Sequence, residues 1–298
     1  MKVILFGAGA SYGSEHVFPN PPPLGGQLFN VLRRDSPLDW GTITGSLRDE
    51  FEVSFERGMG ALLASGSHAL PVLMQRLAIF FAQFRPVQSN TYAELVEKLA
   101  ATGKLSEIAF ASLNYECLFE IAASTPNRPI NYFGSHDPST HAVTVWKLHG
   151  SCNFLPGPEI TASRGVSYGS GVLYNTSVRV VDPAQVPGYC LSNTALYPAM
   201  AHYAKGKQVQ IAQPVIQRLQ VEYAEAVSSA TTVAIVGVKP NVEDPHVWRP
   251  LAGTPADLLI VGDEEDTRRW AGGHRDMRPT QYLGAHFRSS LDELVRAL

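Results

Sequence analysis

The order of hydrophobic and polar positions divides this chain into three kinds of segment. Residues 3–6 form an uninterrupted apolar run stopped by Gly7, the pattern of a strand buried on both faces of a parallel sheet. Runs of the same kind recur at 143–148, 232–236 and 258–261, and residues 108–113 form another apolar, strand-like segment. Over 211–229 the apolar residues Val215, Leu219, Tyr223 and Val227 return every four positions, which predicts a helix with one apolar stripe. Strands alternating with helices predict an α/β fold, a doubly wound and mostly parallel Rossmann-like sheet.

Residues 38–104 differ, because no strand pattern interrupts them. The segment 69–84 is rich in Leu and Phe, and Tyr92, Leu95, Val96 and Leu99 share one helical face. This predicts a helical subdomain inserted after the first βα unit. Residues 156–187 carry many Gly, Pro and Ser and predict long loops with short strands at most. With no internal repeat, the chain reads as a single domain over 1–298.

Composition narrows the chemistry. The 298 residues include 24 Lys plus Arg against 27 Asp plus Glu, a net charge of -3, so no global field draws the chain to nucleic acid or acidic lipid. The N-terminal apolar run is too short for a signal-peptide core or a membrane span. Cys117, Cys152 and Cys190 are widely spaced with no C-x-x-C pair, which excludes a disulfide framework and a four-thiolate zinc site. The expectation is a cytoplasmic protein without a metal.

Four motifs sit where strands are predicted to end. Gly7, Ala8, Gly9, Ala10 and Ser11 follow the first strand, where small residues let backbone N–H groups approach a phosphate; a tight strand-to-helix turn without ligand uses the same residues. The spacing is not that of the dehydrogenase fingerprint, since the third glycine, Gly13, stands one position late. Asp35 lies at the distance of a ribose-binding acid, but residues 24–34 read as helix and no second strand precedes it. Asn114 and Glu116 end the segment 108–113; Asn114 suits a ribose hydroxyl or a nicotinamide amide, or caps the next helix. His149 ends the run 143–148 ahead of Gly150 and can accept a proton at physiological pH, or is a satisfied core histidine. Gly237 follows the run 232–236, with Lys239, Asp244 and His246 beyond. Asp263 follows the last run, as a ribose contact or as a helix cap.

Taken in order, a glycine-rich turn, strand-Asn-Tyr-acid, strand-His-Gly-Ser and strand-Gly followed by Asp resemble the bacterial sirtuin-like domains that hydrolyse NAD in antiviral defence. The resemblance covers most of the chain and includes Pro23, Leu24, Gly25 and the segment from Tyr197 and Pro198 to Lys207. It implies Asn114 and His149 as the catalytic pair. It further implies NAD contacts at Gly7, Ala8, Gly9, Ala10, Ser11, Glu116, Gly237 and Asp263. Three departures from the family pattern occur: Glu116 stands for the usual Asp, Val238 and Lys239 for a small polar residue, and Ser112 for Thr. Sirtuin deacetylases hold a structural zinc with two C-x-x-C pairs, which these cysteines cannot form. The resemblance therefore implies an NAD glycohydrolase, and because such an enzyme would be toxic without regulation, control by a separate regulatory protein, a small nucleotide signal or homo-oligomerisation is expected. An NAD or ADP-ribose sensor without catalysis and an ADP-ribosyl transferase are the alternatives.

Overall fold

The computed structural model describes residues 1–164, 172–193, 195–204, 207–241, 243–275 and 278–298. In chain order it runs β1 (Lys2–Phe6), α1 (Ala8–Tyr12), β2 (Val17–Phe18), α2 (Gly25–Asp35), α3 (Gly45–Val53), α4 (Phe55–Ala64), α5 (Leu70–Ala82) and β3 (Arg85–Pro86). Next come α6 (Thr91–Ala101), β4 (Ile108–Ser112), α7 (Leu118–Ala123), β5 (Ile130–Asn131), β6 (Val143–Lys147), β7 (Phe154–Arg164) and β8 (Val172–Val180). The chain ends with α8 (Val186–Ser192), α9 (Gln213–Ser229), β9 (Thr232–Val236), α10 (Pro245–Gly253), β10 (Asp257–Val261), α11 (Glu264–His274), β11 (Thr280–Gly284) and α12 (Phe287–Ala297).

Among the described residues the central sheet has seven strands in the order β11-β10-β9-β1-β4-β6-β5, and every pairing in it is parallel. Every residue of β4 and β6 is buried, and so are Val3 to Phe6 of β1. That burial on both faces is why these strands read as continuous apolar runs instead of alternating ones. The chain winds outward from β1 through β4 to β6 and then returns to place β9 on the other side of β1. This is the doubly wound arrangement predicted from the pattern. Its topological switch lies around β1, where open sheets of this kind form a crevice beyond the strand carboxyl ends.

Phe6 holds one side of the sheet to its helices. Its ring lies 5.0 Å from Tyr92 of α6, 4.9 Å from Phe119 of α7 and 6.0 Å from Phe287 of α12, centroid to centroid. Each fully buried ring of this kind contributes about 1.5–3 kcal/mol through its removal from water. Helix α9 lies along β1 and β6, burying Ile216, Leu219, Tyr223 and Val227. Leu219, Tyr223 and Val227 lie on the predicted stripe, whereas at its start Ile216 is buried and Val215 only partly so. No helix among the described residues is long and apolar enough to cross a membrane.

Residues 45–101 fold as α3, α4, α5 and α6, with the two-residue β3 pairing antiparallel to β2 outside the central sheet. Trp40, Phe51 and Phe55 pack together here and belong to the same continuous core as the sheet. Asp35 ends α2 and pairs with the adjacent Arg34, so no sheet strand delivers it to a dinucleotide. The segment 156–187 departs from expectation. Phe154–Arg164 and Val172–Val180 form a long antiparallel hairpin, although residues 165–171 lie outside the described residues. Pro156 and Gly157 are accommodated at an irregularity of register between Pro156 and Ile160, which lets a strand carry residues that would otherwise end it.

Candidate functional site

The sheet register brings the motifs to one edge. Phe6 pairs with both Ser112 and Val236, Ser112 with Lys147, and Val236 with Val261. One row thus crosses five strands, and the residues just beyond it form the rim: Gly7, Asn114, His149, Gly237 and Asp263. Asn114 and His149 each stand two residues past their paired row, on adjacent strand ends.

Asn114 is fixed by its own nitrogen. Nδ2 donates to the Gly7 carbonyl at 3.0 Å and to Ser11 Oγ at 2.9 Å, while the Asn114 backbone N–H donates to Ser112 Oγ at 3.1 Å. Both amide hydrogens are therefore used, and among the described residues no donor engages Oδ1. The capping alternative fails, because the following helix α7 starts four residues later at Leu118. Glu116 serves that helix start instead, its Oε2 accepting from the Leu118 N–H at 2.5 Å. Its Oε1 accepts from Ser11 Oγ at 2.6 Å, so both carboxylate oxygens are occupied by the protein and Glu116 orients Ser11. Tyr92 OH completes the set, 2.8 Å from Ser11 Oγ. Tyr92 had shown in the sequence only as one member of an apolar helical face.

His149 is 5% exposed and ends β6 at a turn that only glycine can make. Gly150 has φ of 75°, and a Cβ there would lie 2.0 Å from the Ala199 carbonyl oxygen. The His149 Nε2 faces His246 Nε2 at 3.0 Å, so one of these two nitrogens donates and the other accepts. Burial, with His246 and Lys207 nearby, holds the imidazole well below its ordinary range, so the ring is neutral at physiological pH. Burial also brings His246 down to about 4, and it raises the Asp244 carboxyl to about 6 against the pull of Lys207. Neither His246 nor Asp244 was assigned to a site from sequence. They stand 97 and 95 positions from His149, and no local signal links such distant residues.

The glycine turn has a structural reason of its own. The Gly7 N–H donates to the Val236 carbonyl at 3.0 Å, Gly9 N–H to the Gly237 carbonyl at 2.9 Å, and Ala10 N–H to the Gly7 carbonyl at 2.9 Å. Three of the five predicted phosphate contacts therefore have their amides engaged within the protein, and exposed Ala8 leads the turn toward solvent. Gly237 has φ of 65°, and a Cβ on it would sit 2.0 Å from the Ala10 nitrogen. Gly237→Ala is expected to destabilise the fold by about 2–3 kcal/mol, combining left-handed strain with overpacking. A denaturant midpoint unchanged from the parent protein would refute this account of the turn.

Asp263 is exposed and caps α11, its Oδ1 accepting from the Asp266 N–H at 2.8 Å, while Lys239 pairs with Asp266 at 2.8 Å. Asp263 lies just beyond β10, which β9 separates from β1, and is not joined to the Asn114 network. Just before Pro198, the buried Tyr197 places its OH 2.9 Å from His202 Nε2 and donates to Gln210 Oε1 at 2.9 Å. The three cysteines are buried thiols, with Cys117 and Cys152 Sγ 3.9 Å apart and Cys190 on α8.

No protein-family model matches the chain, and no curated protein does. Two of the solved structures similar to it are a Sir2 and a Sir2 homologue. One is Sir2 in complex with an inhibitor, 2'-O-acetyl-ADP-ribose and a deacetylated peptide, 15% identical with a TM-score of 0.45, covering 100% of this chain and 91% of that one. Another is a point mutant of a Sir2 homologue in complex with ADP-ribose, 15% identical with a TM-score of 0.39, covering 99% and 90%. The fold of this chain rests on its own strand order and pairings.

Proposed function

We propose that this chain binds NAD across the strand ends and hydrolyses the bond between nicotinamide and ribose, acting as a cytoplasmic NAD-depleting effector in antiphage defence. The observation that carries the reading is the fixed amide of Asn114: with both hydrogens held by Gly7 and Ser11, its Oδ1 is an oriented acceptor for a ribose hydroxyl or a water. His149 supplies the second acceptor from the adjacent strand end. Cleavage breaks the C1'–N bond, and its electron pair leaves with nicotinamide through an oxocarbenium-like state. Water then bonds to C1', and its proton passes to His149 Nε2. NAD hydrolysis needs no peptide groove and no structural zinc, in keeping with buried, unpaired thiols.

Ala8, exposed at the turn, supplies the pyrophosphate side, and Gly237 keeps the turn beside it in place. Control by a second protein or by self-association keeps such an enzyme silent until needed; full turnover by the isolated monomer would count against that control. Purified full-length protein incubated with NAD is expected to release nicotinamide and free ADP-ribose. Label appearing on a macromolecule would identify a transferase, and calorimetric binding without product would identify a sensor.

Ser11→Ala tests the positioning. Losing one hydrogen bond to Asn114 weakens its orientation by about 0.5–1.5 kcal/mol, so kcat falls roughly threefold to tenfold while KM changes less. A change confined to KM would show that Ser11 serves binding alone.

A further inference from the structure

We propose that His149 Nε2, His246 Nε2 and a carboxylate oxygen of Asp244 form a site for a divalent first-row transition-metal ion, and that the ion silences the enzyme by occupying the lone pair through which His149 accepts a proton. The three ligand atoms lie within 4.8 Å of one another. The two imidazole nitrogens are 3.0 Å apart, close to the roughly 3.3 Å expected of two nitrogens bound to one tetrahedral ion at about 2.0–2.1 Å. Rotation of the Asp244 side chain closes the remaining distance.

One further feature points to a cation. Asp244 is 6% exposed, and its buried Oδ1 has no hydrogen-bond partner, a costly condition that a bound cation relieves. Two imidazoles favour zinc, cobalt or nickel over magnesium and calcium. Lys207 is the opposing charge nearby, and its ion pair with Glu56 at 2.9 Å offsets it. The predicted absence of metal came from the cysteines, and this donor set uses none of them. Binding stands on the geometry, whereas silencing rests on the proposed NAD hydrolysis.

The test is cobalt titration of chelator-stripped full-length protein. One cobalt ion per chain is expected, with visible d–d absorption that zinc displaces. His246→Gln and Asp244→Asn should each weaken binding tenfold to a hundredfold. Zinc should also raise the melting temperature of the parent protein, as a ligand of the native state must, and should not raise that of His246→Gln. Absent cobalt binding, or binding equal in parent and both variants, overturns the site. Zinc should stop nicotinamide release and a chelator restore it; zinc that leaves or speeds the rate overturns the silencing. Metal binding that depends on His246 in a protein that never releases nicotinamide upholds the site and refutes the hydrolysis.

Discussion

His149→Ala is expected to lower nicotinamide release from NAD by about 10²–10⁴-fold, the range for removing a positioned proton acceptor, and Asn114→Ala by a comparable factor. The two act at different points. His149 takes the proton as water bonds to C1', so its loss falls on kcat. Asn114 holds the hydroxyl or water that reacts, and truncation also frees the Gly7 carbonyl and Ser11 Oγ that its Nδ2 engages. Asn114→Asp is the sharper variant: it keeps an acceptor oxygen but sets a carboxylate against the Gly7 carbonyl. It should remain nearly as inactive as the alanine variant. Release of nicotinamide measured by chromatography, with circular dichroism to confirm the fold, checks all three. Unchanged turnover in both alanine variants would remove the pair from the chemistry.

What could be read from the sequence follows from how far each signal reaches. Among the described residues, β1, β4, β6, β9 and β10 were legible because burial makes them continuous apolar runs, with Gly7, Gly150 and Gly237 marking ends; the edge strands β5 and β11 were not, because they are only partly buried. The rim was legible for the same reason: once strands are parallel, the residues after them share an edge. The hydrogen bonds within that rim were not. Glu116 reads as a ligand contact in one dimension but spends both oxygens on Ser11 and the Leu118 N–H. Tyr92 looked like a core residue, and it is one, except that its hydroxyl reaches Ser11. The hairpin of β7 and β8 was hidden because its Pro and Gly are tolerated at a register irregularity that only the partner strand reveals. His246 meets His149 through the return of the chain to the far side of β1, and composition carries no trace of that.

Lys147 was hidden inside an apolar run, and its replacement should have the largest effect on stability. It sits within fully buried β6 at 0% exposure. Its Nζ lies 2.6 Å from Glu120 Oε1 and donates to the Glu116 carbonyl at 2.6 Å. Burial pulls the Lys147 ammonium down, but Glu120, with Cys117 and Glu116, outweighs it and holds the ammonium above its ordinary range. The Glu120 carboxylate is 3% exposed, so Lys147→Met leaves it without its cation in the interior. Breaking a buried pair in this way costs about 3–5 kcal/mol, a large part of the 5–15 kcal/mol that typically holds a domain together. Because Lys147 follows Trp146 and precedes Leu148 and His149, the loss also loosens the strand end that carries the proton acceptor. The double variant Lys147→Met with Glu120→Leu removes both charges, and replacement of a whole buried pair by apolar groups is often neutral or stabilising. Urea unfolding should therefore show a large fall in midpoint for the single variant and substantial recovery in the double. A single variant within about 1 kcal/mol of the parent would show that Glu120 takes up a proton and sits neutral without its partner, the route that burial favours by raising its carboxyl.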